Sequence, residues 1–156
     1  MSRVQVRTFV RSGEKFSPVS EVLRYEEDCY YVAGAVSLVI DGSEMLGTDL
    51  WDDVNWLWPL LVQALDDCRR TGLGRRGFPD QPISFKAQLA WAGNVLVTVS
   101  DGGAINRSAV APAEELYQVV AREGLHFFNE LQRLCPANED GLEERELLAS
   151  WLAPGE

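Results

Sequence analysis

Histidine is nearly absent from this 156-residue chain, and His126 is its only instance. A serine or cysteine nucleophile would have to use that one imidazole. No Ser or Cys lies three or four positions from it on the helix its surroundings predict. Cysteine is almost as scarce. Cys29, Cys68 and Cys135 are odd in number and far apart, which predicts reduced, buried thiols in a cytoplasmic protein rather than a disulfide framework. With His126 they offer no close metal-ligand spacing, so neither a metal nor a cofactor is expected. A nucleophile elbow, a P-loop and an EF-hand loop are all missing. Long apolar runs are missing too. Arg3, Arg7, Arg11 and Lys15 interrupt the opening MSRVQVRTFVRSGEK, so neither a secretory leader nor a membrane span is expected. Basic residues number 14 against 24 acidic, a net charge of −10. That balance excludes duplex nucleic acid held by phosphate contacts and disfavours an anionic membrane surface.

What is present is a core-forming composition, 46% hydrophobic and 24% charged, in a chain the length of one domain over 1–156. Residues 1–46 read as strands. Val4, Val6, Thr8 and Val10 alternate with polar neighbours, a second strand is expected at 19–26, and a near-continuous apolar strand runs from 30 to 40. Asp41-Gly42 supplies a tight turn into a short strand at 43–46. Over 48–71, Leu50, Val54, Leu57, Leu61, Leu65 and Cys68 form one helical stripe, and Pro59 kinks the helix opposite that stripe. A Gly/Arg-rich loop follows at 71–82. Strands return over 83–110, where Ile83, Phe85, Ala87, Leu89 and Trp91 share one face and Val95, Val97 and Val99 share another. A helix over 112–135 opens on Pro112 and carries Leu116, Val120, Phe127, Leu131 and Leu134 on its core stripe, with Gly124 at a close approach. A short helix at 140–152 ends the chain. The order predicts an α+β fold: an antiparallel sheet of about five to six strands, two long helices packed on one face, and a short C-terminal helix.

Gly72-Leu73-Gly74-Arg75-Arg76-Gly77 is a literal G-x-G-x-x-G, but it follows a helix and precedes a strand. Dinucleotide binding needs the opposite order, so Gly72 reads as a left-handed helix terminator. The arginines around it, Arg69, Arg70, Arg75 and Arg76, are the densest positive cluster in the chain and a candidate grip for an anionic ligand. A second candidate surface is the sheet face opposite the helices, with Ser84, Lys86 and Gln88.

The charge is unevenly placed. From Asp41 to Cys68 there is no Lys or Arg, while Asp41, Glu44, Asp49, Asp52, Asp53, Asp66 and Asp67 all fall there. On the predicted helix Trp56 sits on the polar face between Asp52 and Asp67, with Asn55, Pro59 and Gln63. A tryptophan ringed by carboxylates has the makeup of a binding anchor with a charged rim, and negative charge steers a cationic partner. Asp49, Asp52, Asp53, Trp56, Gln63, Asp66 and Asp67 are therefore the expected partner-binding residues.

The segments YYVAGAVSLVIDG, DLWDDVNWLW, FPDQPI and VLVTV resemble, across residues 25–135, small acidic bacterial proteins and the immunity proteins that neutralise polymorphic toxins. The resemblance implies a non-enzymatic inhibitor that blocks a cationic toxin domain through the acidic helix face. Two other readings stand beside it: a small anionic-ligand-binding or enzymatic domain using residues 69–76, and a homo-oligomeric structural protein, a homodimer for instance, packing through Trp56 or Trp91.

Overall fold

The structure is a computed structural model and describes residues 2–152. The expected domain 1–156 therefore includes Met1 and residues 153–156, which lie outside the described residues. The fold is α+β, with antiparallel strands, two long helices and a short C-terminal helix.

The strands fall into two sheets. The first comprises β1 (Val4–Ser12), β2 (Lys15–Pro18), β3 (Ala33–Ile40), β4 (Ser43–Leu46) and the two-residue β5 (Asp52–Asp53). Its order is β2-β1-β3-β4, and β5 also pairs with β3. The second is a meander of β6 (Leu73–Gly77), β7 (Ser84–Leu89), β8 (Asn94–Ser100) and β9 (Asn106–Pro112). The sheets meet where β4 lies beside β8 and β9. There the Arg107 guanidinium donates to the Met45 carbonyl at 3.3 Å and pairs with Asp49 at 2.6 Å.

The helices are α1 (Val54–Thr71), α2 (Ala113–Leu134) and α3 (Leu142–Leu152). Helix α1 lies on β6, β7 and β3, α2 lies on β1 and β9, and α3 packs against both helices. The helical part of both predicted stripes is buried, from Val54 to Cys68 and from Leu116 to Leu134, because a 3.6-residue period keeps those side chains on one face. They join Trp58, Phe85 and Phe127 in one continuous core. Gly124 lets α3 approach α2: a Cβ there would stand 2.7 Å from Leu148 and 3.0 Å from Trp58.

Four local expectations need correction. Residues 19–26 form no strand. Val19–Glu21 is one 3-10 turn, and irregular chain follows to Val32. The first long helix begins at Val54 rather than 48, because Thr48–Leu50 is a separate 3-10 turn and Asp52–Asp53 pairs with Ala33 and Gly34. Helix α1 itself is one element through Pro59, as expected, and the missing Pro59 N–H costs one bond to the Asn55 carbonyl. The segment read as a loop contains strand β6. Gly74 permits it, since a Cβ there would meet the Ala64 carbonyl oxygen at 1.8 Å, so only glycine lets the strand lie on the helix. Finally, Ile83, Phe85 and Ala87 face the core, but Leu89 and Trp91 are 58% and 71% exposed. The strand outruns the helices that cover it.

The cysteines also depart from expectation. Cys29 and Cys135 form a disulfide, with Cα atoms 5.9 Å apart, and only Cys68 is a free, buried thiol. Their separation of 106 positions made them look unrelated in sequence, yet the end of α2 returns to the loop before β3. No helix among the described residues is long and apolar enough to cross a membrane.

Candidate functional site

The N-terminal half of α1 forms the floor of a groove of about 600 Å³. Trp56, Pro59, Leu60 and Gln63 come from that helix, and Asp53 from the residue before it. Tyr31 contributes from the loop before β3, Pro79 and Asp80 from the loop before β7, Asp140 from the approach to α3 and Glu144 from the first turn of that helix. No Lys or Arg lines it.

Asn55 is what brings these segments together. It is fully buried, and its side chain uses three bonds. Its Oδ1 accepts from the Val32 N–H at 2.9 Å, and its Nδ2 donates to the Tyr30 carbonyl at 2.9 Å and to Asp140 at 3.0 Å. The Trp56 indole N–H donates to the same Tyr30 carbonyl at 2.8 Å. Trp56 therefore stands half-exposed with its ring fixed and its only donor satisfied, edge-on to Tyr30 at 5.4 Å. Tyr30 in turn packs edge-on to the exposed Tyr31 at 4.7 Å. The Cys29–Cys135 bond lies behind this wall. Asn138 donates to the Cys29 carbonyl at 3.0 Å and accepts from the Asp140 N–H at 2.7 Å, so the disulfide and Asn55 hold the same two segments.

Asp52 supports the groove from below and cannot serve as rim. It is 2% exposed, and its carboxylate accepts from the Asp53 N–H at 2.7 Å and from the Asp80 and Gln81 N–H groups at 3.0 Å. Those bonds set the loop that carries Asp80. Carboxylate oxygens of Asp52, Asp53 and Asp80 lie within 4.8 Å of one another. Burial holds the Asp53 carboxyl above the usual carboxylate range, and the negative charges of Asp52 and Asp80 add to it. At neutral pH the cluster gives the groove a concentrated negative potential, with Asp53 and Asp80 as its accessible members.

The remaining expected residues separate. Gln63 lines the groove and donates to Glu144 at 2.9 Å. Asp49 sits apart, paired with Arg107. Asp66 and Asp67 lie further along α1, where Arg70 pairs with both, at 2.9 Å and 2.5 Å, and Arg76 pairs with Asp67 at 2.9 Å. The single acidic helix face therefore does not exist as expected, because its far end is neutralised by the chain's own arginines. By the same contacts Arg70 and Arg76 are not a grip for an anion. Arg69 lies over the Tyr117 ring at 5.3 Å, and Arg75 alone of the four points away, on an outer strand position.

A second cavity, about 670 Å³, adjoins Arg69 and Arg70 and is lined further by Cys68, Tyr117 and Trp151. Its only carboxylate is the exposed Glu114, and His126 is elsewhere on α2. Burial pushes both the Cys68 thiol and the Tyr117 hydroxyl upward, so both are neutral at physiological pH. The Tyr117 hydroxyl donates to the Leu65 carbonyl at 2.6 Å.

Sequence reasoning missed Tyr30, Tyr31, Asp80, Asp140 and Glu144. In the sequence Tyr30-Tyr31 open an apolar strand pattern and Asp80 falls in a Gly/Arg-rich loop, and neither pattern signals a shared site. Their common signal is tertiary, carried by Asn55, Asp52 and the disulfide. No protein-family model matches the chain, and no curated protein or solved structure is detectably similar to it.

Proposed function

We propose that the chain is a non-enzymatic protein-binding module that receives a cationic partner in the groove around Trp56. The observation that carries this reading is the lining itself: Trp56 and Tyr31 beside Asp53, Asp80 and Asp140, without one basic side chain. An aromatic with its polar edge already satisfied offers apolar area at little ordering cost, and surrounding carboxylates reward a Lys or Arg that lands beside it. Because Asp53 is partly desolvated and crowded by like charge, an incoming cation relieves an existing repulsion.

The likeness to immunity proteins makes a toxin domain the partner of choice, with the groove covering its basic active-site surface. A cytoplasmic location belongs to that reading. The disulfide removes one of its supports, because such bonds persist mainly in oxidising compartments.

The test is calorimetric titration of the purified chain with the product of the neighbouring gene, at two salt concentrations. Trp56→Ala and the pair Asp53→Asn with Asp80→Asn should each weaken binding at least roughly tenfold, and the wild-type affinity should fall with salt. Binding that ignores both variants, or no binding, overturns the reading.

A second reading, self-association, draws on the exposed Leu73, Leu89 and Trp91, since exposed apolar side chains in company mark contact surfaces. Light scattering on the wild type and Trp91→Ser separates it from the first. A dimer lost in that variant supports it, and a monomeric wild type overturns it.

A further inference from the structure

We propose that the outer face of the second sheet holds a binding site for a phosphate group, free or esterified, centred on Lys86 and Arg75. The ladder places these residues directly opposite one another on β7 and β6, on the face turned away from α1. Gly74 and Arg76, their alternates on β6, face the helix instead, one against Ala64 and the other against Asp67. Like charges opposite one another across a ladder are unfavourable. Here no carboxylate relieves them, because neither Lys86 nor Arg75 forms an ion pair among the described residues, although Arg70 and Arg76 nearby are both paired. In a chain carrying −10 overall, an unrelieved cationic pair is a local exception.

The neighbouring positions supply neutral donors. Thr98 pairs with Lys86 across β7 and β8, and Ser84 pairs with Ser100 one step along. The hydroxyls of Ser84 and Thr98 make no hydrogen bond among the described residues. Ser100 accepts from the Gly102 N–H at 3.0 Å, which leaves its own proton to donate. Gly77, opposite Ser84, has no atom within 3.4 Å of where its Cβ would stand, so the floor stays open beside the hydroxyls. Together these residues line a hollow of about 490 Å³. Its one acid, Asp101, is engaged within its own turn, accepting from the Gly103 and Ile105 N–H groups at 2.7 and 3.0 Å.

Two cations and three hydroxyls on one rigid surface match a doubly charged tetrahedral oxyanion. Arg75 can take two of its oxygens side by side, Lys86 acts as a point charge, and the hydroxyls donate to the rest. The site shares no lining residue with the Trp56 groove and stands whether or not that groove binds a partner.

The test is a titration of the isotopically labelled chain with inorganic phosphate and with glycerol 3-phosphate, followed by amide resonances at constant ionic strength, with chloride as control. Saturable shifts at residues 75, 84, 86, 98 and 100 are expected. They should weaken at least about tenfold in both Lys86→Gln and Arg75→Gln and be unaffected in Arg69→Gln. Both substituted side chains lie on an open face, and unchanged resonances in the core confirm that each variant folds. Binding should be stronger at pH 8 than at pH 5, where phosphate is singly charged. Tighter binding of the ester than of phosphate identifies an esterified ligand, whereas equal binding identifies free phosphate as the source. Shifts that chloride reproduces, that fail to saturate, or that survive Lys86→Gln overturn the proposal.

Discussion

Cys29 and Cys135 are bonded to one another across 106 positions of sequence, and the bond stands directly behind the wall that carries Tyr30 and Asp140. It ties the loop before β3 to the connection between α2 and α3, the two segments that Asn55 also joins. Groove and disulfide are therefore one construction.

Reducing that bond should cost stability and loosen the groove. Closing a loop of this length restricts the unfolded chain, and removing the closure is worth about 2–5 kcal/mol. Cys29→Ser with Cys135→Ser should lower the urea midpoint accordingly. Thiol titration of the unfolded, unreduced protein should find one reactive group, Cys68, and three after reduction. The summed tryptophan emission should shift to longer wavelength in the double variant as Trp56 becomes more solvated. A titre of three thiols without reductant would show that the bond is not formed.

Asp53 should trade stability for binding. Its folded-state carboxyl titrates above the unfolded value, chiefly through desolvation and then through Asp52 and Asp80. The native state thus holds this proton more tightly than the unfolded chain does. The resulting destabilisation is absent below the unfolded pKa, grows as pH rises through the folded one, and is complete above it. Asp53→Asn removes it, and because the Asp53 side chain makes no capping bond to α1, no cap is lost. The variant should be more stable than wild type at pH 7, with the difference vanishing in acid, while binding a cationic partner less well. Equal pH profiles for the two proteins would refute this.

Gly74 and Gly77 should respond differently to the same substitution. A methyl group at Gly74 collides with the Ala64 carbonyl, whereas at Gly77 the nearest atom is 3.9 Å away. Gly74→Ala should cost at least about 2 kcal/mol in chemical denaturation, since β6 must lift from α1. Gly77→Ala should change stability by less than about 1 kcal/mol.

Much of the framework was legible because its causes are local. The stripes of α1 and α2, the Asp41-Gly42 turn with φ of 50° and 80°, and Gly72 at φ 94° after α1 all follow from periodicity or from backbone conformations that few residues adopt. The candidate site was half legible. Trp56, Asp53 and Gln63 stand out in the sequence because a tryptophan on the polar face of a helix, among carboxylates, is out of place in a simple solvated face. Asp52, Asp66 and Asp67 were misjudged because a sequence shows a carboxylate's charge but not what accepts or neutralises it.

The α+β class, the two buried helix faces and the unequal placement of charge follow from the order of residues alone, since each depends on neighbours within a few positions. The meeting of Cys29 with Cys135, the bonds of Asp52 to the backbone of Asp80 and Gln81, and the pairing of Arg76 with Asp67 arise from the packing of distant segments. Partner choice among cysteines and charges is a matter of distance in space. That distance is set by how the helices seat on the two sheets, which no local pattern encodes.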